Sequence, residues 1–270
     1  MSPGVTRPRL VATDLDGTLV RSDGTISERT REVLVAVEAR GVPVVFVTGR
    51  PLRWAEEVFD HVGDHGLAVV SNGAVVWDVG ADRPVLRREI DPQTVREVCA
   101  ALRAAVPGSA FAVETLAGIS LEPEFVERHP VPDGARRGPV DELADAPVVK
   151  LLARHEELGP QDYWDAAEQA VGDRVSITWS STSTLLEISA YGVTKATTLA
   201  LVTEELAVDP ADVLAFGDMP NDLPMLAWAG TPYAMANAHA SVLAAVERRA
   251  PSNDQDGVAE VLAEVFGLER

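Results

Sequence analysis

The chain has 270 residues, a formal net charge of -19, 46% hydrophobic and 24% charged residues, and a single cysteine, Cys99. The acidic balance argues against a nucleic-acid binder, which needs a basic face, and disfavours docking on anionic membranes. One cysteine permits no internal disulfide, no apolar run approaches the ~18 residues of a membrane span, and the first residues lack the apolar core of a signal peptide, so a reducing cytoplasm is the expected setting.

Leu10-Val11-Ala12-Thr13 reads as a short buried strand running into Asp14-Leu15-Asp16-Gly17-Thr18. Side chains alternate along an extended segment, so Asp14 and Asp16 project the same way. Their like charges call for a divalent cation or a shared proton. Gly17 permits an immediate turn. A plain polar turn after a strand would have the same composition.

Ser27 is placed to cap a helix through Arg40, with Gly41 as its stop. Val42–Val47 is a second strand, ending in Thr48-Gly49-Arg50-Pro51, and a helix follows over Trp54–His61. Leu67–Val70 is a third strand, ending at Ser71-Asn72-Gly73. Near-continuous apolar strands alternating with helices predict a parallel sheet covered on both faces. The pattern then changes. Val75–Trp77 and Val85–Arg87 form a hairpin, Thr94–Ala105 a helix that buries Cys99, and Ala110–Val113 and Ile119–Leu121 short strands before a loop through Val131–Gly134. Val148–Ala153, Val175–Trp179 and Leu185–Ile188 are strands, and Tyr163–Val171 is a helix, which together predict a separate α+β unit. The first pattern returns with a helix over Thr194–Leu206, a strand over Val213–Phe216, a short helix over Asn221–Ala227, a strand over Tyr233–Met235 and helices over Val242–Arg248 and Val258–Phe266. The expected divisions are a core over residues 1–85 and 189–270 and an inserted cap over 86–188.

Four clusters carry polar residues the fold does not need: Asp14 and Asp16, Thr48-Gly49-Arg50, Lys195, and Gly217-Asp218-Met219-Pro220-Asn221-Asp222. Three follow strands, where open parallel sheets bind ligands, and Lys195 opens a helix, whose N-terminus favours anions. The five histidines show no metal-ligand spacing.

These motifs resemble those of the haloacid dehalogenase-like hydrolases, in the Cof-type branch of phosphatases. The resemblance rests on Asp14-Leu15-Asp16-Gly17-Thr18-Leu19, Thr48-Gly49-Arg50-Pro51, Ser71-Asn72-Gly73-Ala74, Gly192-Val193-Thr194-Lys195, Phe216-Gly217-Asp218-Met219-Pro220-Asn221-Asp222 and Asn253-Asp254-Gln255-Asp256-Gly257-Val258. Met219-Pro220 departs from the residues usual at that place. The resemblance implies a Rossmann-like α/β core with an inserted α+β cap of type IIB. It implies that Asp14 is the nucleophile that forms an aspartyl-phosphate, that Asp16 is the acid/base, and that Mg²⁺ sits on Asp14, the Asp16 carbonyl and Asp218. Leu15, Thr48, Gly49, Lys195 and Asn221 would surround the phosphate, and Asp222 would support the metal or Lys195 from behind. An acid at position 16 favours phosphoryl transfer over dehalogenation, because a departing halide needs no proton.

The expected activity is therefore hydrolysis of a small phosphorylated metabolite, a sugar phosphate above all, by a cytoplasmic monomer or homodimer. A phosphatase for a phosphorylated glycoside, of sucrose or mannosylglycerate type, is the alternative, followed by a non-catalytic ligand-binding member of the fold. Glu114, Arg136, Arg137 and His155 are candidates for reading the substrate, against a simple solvated cap surface.

Overall fold

The computed structural model describes residues 7–62, 66–178 and 184–268, so Trp179, His65 and the N-terminal residues 1–6 lie outside it. β1 (Leu10–Thr13), β2 (Val44–Val47) and β3 (Leu67–Val70) are buried almost throughout, as strands covered on both faces must be. α1 (Glu28–Glu38) joins the first two, with the Ser27 hydroxyl accepting from the Thr30 N–H at its start, and α2 (Leu52–Val62) joins the second and third. β4 (Val75–Asp78) and β5 (Arg83–Arg87) form the expected hairpin.

The insertion comprises α3 (Pro92–Ala105), β6 (Ala110–Thr115), β7 (Gly118–Leu121), α4 (Val140–Leu143), β8 (Lys150–Arg154), α5 (Pro160–Val171), β9 (Val175–Thr178) and β10 (Leu185–Ala190). Its strands pair antiparallel in the order β7-β6-β8-β10-β9. Strand alternation gives this sheet two unlike faces. Phe111, Val113, Leu151, Ala153, Leu186 and Ile188 pack with residues of α3 and α5, among them Cys99 and Tyr163. Burial raises the pKa of the Cys99 thiol, which behaves as a small apolar core group. The opposite face presents Ala112, Glu114, Lys150, Leu152, Arg154 and Glu187.

The chain then returns through α6 (Lys195–Glu205), β11 (Val213–Gly217), α7 (Leu223–Trp228), β12 (Thr231–Met235), α8 (Ala240–Ala245), β13 (Arg249–Ala250) and α9 (Gly257–Phe266). The core sheet has the order β13-β12-β11-β1-β2-β3-β4-β5, parallel except for the hairpin at its end. The order reverses at β1, whose neighbours are β2 and β11, so the loops after these strands meet at one end of the sheet.

Some expectations are corrected. The helix expected to run to Arg248 ends at Ala245, and Val246 is already extended. Tertiary pairing overrides local helix preference there. Residues 249–250 add to β12, and Ala234 N–H donates to the Arg248 carbonyl at 3.0 Å. The helix expected from Asn221 begins at Leu223, after a single 3₁₀ turn over Pro220–Asp222. The divisions expected after residues 85 and 188 fall inside β5 and β10. The chain passes between the sheets after β5 and again after β10. Arg88 ties the two crossings, donating to the Thr197 and Thr198 hydroxyls at 2.8 and 2.7 Å and to the Gly192 carbonyl at 3.2 Å.

Candidate active site

Asp14 follows β1 directly, and its N–H donates to the Phe216 carbonyl of β11 at 3.1 Å. The loop after it is drawn tight by the Leu15 carbonyl, which accepts from the N–H groups of Thr18, Leu19 and Val20. The Leu15 side chain is fully buried, which leaves its main chain to contact a ligand. Gly17 has φ +74°, and a Cβ there would lie 2.3 Å from Asp218 Oδ2. Only glycine lets this loop lie against the carboxylate. Thr18 donates to Asp218 Oδ1 at 3.1 Å.

Lys195 is the first residue of α6, whose start is fixed by the Thr194–Thr197 capping box. Gly73 brings that helix against the loop after β3, since a Cβ there would lie 2.4 Å from the Thr194 carbonyl. The ammonium of Lys195 is buried and donates to Asp14 Oδ1 at 2.6 Å and to Asp222 Oδ1 at 2.7 Å. Asp222 Oδ2 accepts from the N–H groups of Asp218 and Met219 at 3.1 and 3.0 Å. Both its oxygens are therefore engaged, and it braces Lys195 and the Asp218 loop.

Asp14, Asp218 and Asp222 each offer a buried oxygen, all within 4.8 Å of one another. Burial raises the Asp14 pKa well above the usual carboxylate range; Lys195 pulls it back, and Asp222, Asp218 and Asp16 add repulsion. Asp218 is pushed up to about 7, by burial first and then by the charge of Asp222. Carboxylates crowded in this way suit a hard divalent cation, which takes oxygen ligands and cancels their repulsion. With Asp222 committed to Lys195 and two N–H groups, Asp14 and Asp218 are the side chains left to hold it.

The other expected residues are close but differently engaged. Asp16 is bound on both oxygens by Arg50, at 2.8 and 2.6 Å, and stands outside the three-carboxylate cluster. Thr48 is fully buried, and its hydroxyl accepts from the Arg50 N–H at 3.0 Å. Its carbonyl accepts from Asn72 N–H, while the Arg50 carbonyl accepts from Ser71 N–H, which stitches the loops after β2 and β3 together. Ser71 and Asn72 both hold φ above +50°, an unfavourable conformation for side-chain-bearing residues that these bonds impose. Asn221 donates to Asn72 Oδ1 at 3.1 Å, and Asn72 donates to Glu187 Oε2 of the cap at 2.7 Å. Lys150 of the cap donates to Glu187 Oε2 and to the Gly49 carbonyl.

Arg50 and Asn72 stand within the sequence motifs without an assigned role, and Lys150 and Glu187 stand outside those motifs. Of the cap candidates, Glu114 is a buried partner of Arg53 at 2.9 and 3.1 Å. Arg136 pairs with Asp145 and the Glu142 carbonyl on the surface. His155 shapes a turn, with Nε2 on the Pro107 carbonyl and Nδ1 accepting from two N–H groups.

A Rossmann-like core, an α+β cap and a carboxylate–lysine cluster at the switch point of the sheet define a capped α/β hydrolase. The chain belongs to the haloacid dehalogenase-like hydrolase family, whose model matches residues 11–262. It is similar to the 5-amino-6-(5-phospho-D-ribitylamino)uracil phosphatase YcsE of Bacillus subtilis (strain 168), 28% identical over 94% of each chain. It also matches Endoribonuclease YBEY, chloroplastic, of Arabidopsis thaliana, at 29% identity over 92% of this chain, which spans 45% of that protein's length. Its fold matches the HAD subclass IIB sugar phosphatase BT4131 with a TM-score of 0.78 and 21% identity, over 97% of this chain and all (100%) of the other. The α+β fold of the inserted cap agrees with the IIB cap that the Cof-type motifs imply.

Proposed function

We propose that the protein is a Mg²⁺-dependent phosphatase that hydrolyses a small phosphorylated metabolite, a sugar or alditol phosphate, through an aspartyl-phosphate on Asp14. The observation that carries this reading is the Lys195 ammonium, buried between Asp14 and Asp222 beside the Asp218 carboxylate. The names of the relatives support the substrate class: one acts on a phosphorylated ribityl compound.

Asp14 attacks phosphorus in line, the bond from phosphorus to the ester oxygen breaks, and Asp16 delivers a proton to that oxygen. Water then attacks the acyl phosphate while Asp16 takes its proton, which releases phosphate and restores Asp14. Arg50 must release at least one Asp16 oxygen for either transfer. Asp14, Asp218 and the Asp16 carbonyl would hold Mg²⁺, which would supply charge neutralisation between nucleophile and phosphate. Lys195 fixes the orientation of Asp14 through Oδ1 and places positive charge beside the transferring group. Thr48 and Asn221 flank it from the neighbouring loops.

Purified protein with Mg²⁺ is expected to hydrolyse p-nitrophenyl phosphate. Asp14→Asn, which keeps the side-chain shape but removes the nucleophilic charge, is expected to abolish turnover. Undiminished turnover in that variant overturns the assignment of Asp14.

A further inference from the structure

Lys150 and Glu187 are charged residues that the scheme above leaves unused, and both are almost fully buried, their side chains 4% and 9% exposed. They face each other across the cap sheet, on β8 and β10, where Glu187 registers with Leu152. Neither belongs to the cap's apolar layer. They are joined to each other and to the core loops after β2 and β3: Lys150 reaches the Gly49 carbonyl, and Glu187 accepts from Asn72. A Cβ on Gly49 would lie 3.1 Å from Asn72 Oδ1, 3.6 Å from a Glu187 oxygen and 3.7 Å from the Asn221 amide nitrogen. Core and cap side chains therefore converge over Gly49.

Burying an ion pair at this place is costly, and an apolar pair of similar size would hold the cap at least as well. Other polar atoms beside it await partners. Asn221 Oδ1, the Ser71 hydroxyl and the Ser189 hydroxyl are buried without a hydrogen-bond partner. Asn221 and Ser71 adjoin Asn72 through a side-chain bond and through the chain, and Ser189 follows Glu187 by two residues on the same face of β10. Buried hydroxyl and amide groups without a partner are rare in folded proteins, and here they retain hydrogen-bonding capacity close to the Lys150–Glu187 pair. Lys150 also spends two of its three N–H groups on the Gly49 carbonyl and Glu187.

We propose that Lys150 and Glu187 are the specificity-determining pair that reads the leaving group, and that this group is a neutral polyhydroxylated chain or ring. The inference rests on the phosphatase reading. An ammonium and a carboxylate side by side present donors and an acceptor with no net charge, which matches hydroxyls that both donate and accept. A second anionic group on the substrate is disfavoured. Lys195 is taken by Asp14 and Asp222, Arg50 by Asp16, Arg53 by Glu114 and Lys150 by Glu187. Arg154, the cation on the same face of β8 with unpartnered nitrogens, lies four residues beyond Lys150, about 13 Å along the strand.

The test compares kcat/KM for ribitol phosphate, phosphoglycerate and acetyl phosphate with Mg²⁺, in the wild type, Glu187→Gln, Lys150→Met and Lys150→Arg. Acetyl phosphate offers no hydroxyl to read. The wild type should prefer ribitol phosphate to phosphoglycerate. Glu187→Gln and Lys150→Met should each lose about 100-fold more on ribitol phosphate than on acetyl phosphate, because a site built for hydroxyls loses discrimination when a partner is removed. Lys150→Arg should regain part of that selectivity. Glu187→Gln is nearly isosteric and decides the matter alone if Lys150→Met does not fold. Equal losses on both substrates, or none on either, would make the pair structural and overturn the proposal. A wild type that hydrolyses acetyl phosphate but favours phosphoglycerate overturns the polyol class and leaves the phosphatase reading intact. A wild type inert towards all three overturns that reading too.

Discussion

Lys195 shows how charge and burial are balanced in this site. Burial alone would lower its pKa, yet Asp14 and Asp222 outweigh that and raise it, so it stays an ammonium ion. Removing it leaves two buried carboxylates facing each other. Lys195→Met is therefore expected to destabilise the metal-free protein by about 3–5 kcal/mol, the usual cost of breaking a buried pair. Urea titrations should show the loss, and saturating Mg²⁺ should recover part of the stability but not the turnover. Asp218 carries a second expectation. Its carboxyl is raised from 3.8 to about 7. A carboxyl raised on folding costs nothing while protonated in both states. Its penalty grows as pH rises through the unfolded value and is complete above about 7. Mg²⁺ held there as proposed would relieve that penalty and compete with the proton, so the rise in Tm on adding Mg²⁺ should be larger near about pH 8 than near about pH 5. An equal rise at both would show that Asp218 is ionised throughout.

Single elements were legible where local chemistry decides them. The Ser27 cap, the Thr194 helix start and the apolar strands β1, β3 and β11 all follow from sequence pattern, and the motifs at their ends stand together as the strand order requires. What could not be read was set by distant partners. Residues 246–248 suit a helix, but the edge of β12 draws the following residues into β13. Val148–Ala153 reads as an ordinary strand, and nothing local says that Lys150 faces Gly49. Glu122 is a similar case. Its carboxylate accepts from the Phe111 and Val140 N–H groups at 2.9 Å each and from Arg103, which joins β6, α4 and α3. Glu122→Ala strands two buried N–H groups and should cost about 3 kcal/mol. A shift in the urea midpoint should report it, and Glu122→Gln should lose less, because its amide oxygen can still accept one bond.

At the scale of the molecule, the cap is seated on the core by polar contacts. Arg53 of α2 binds Glu114 of β6 on both oxygens and lies over the Trp54 ring, 4.1 Å from its centre, while Trp54 meets His129 of the cap edge to face at 5.0 Å. Burial already raises the pKa of Glu114, against the pull of Arg53. Arg53→Ala should leave that carboxylate uncompensated and loosen the cap. An increase in the radius of gyration, measured by X-ray scattering, is the expected outcome. An unchanged radius would show that the remaining contacts, among them Lys150–Glu187 and the packing of Val149 into the core cluster, seat the cap without Arg53. No described helix is long and apolar enough to cross a membrane.

The two crossings tied by Arg88 lie side by side, so the chain enters and leaves the cap at a single place. A segment anchored in that way can be exchanged without re-threading the sheet beneath it. With the proposed roles, in which Asp14 and Lys195 break the bond and the cap chooses the substrate, the two would be separately heritable: one lineage could keep Asp14 and Lys195 fixed while the cassette above them is replaced, shortened or redrawn. New specificities would arise by substitution within 92–190, and the core would carry them unchanged.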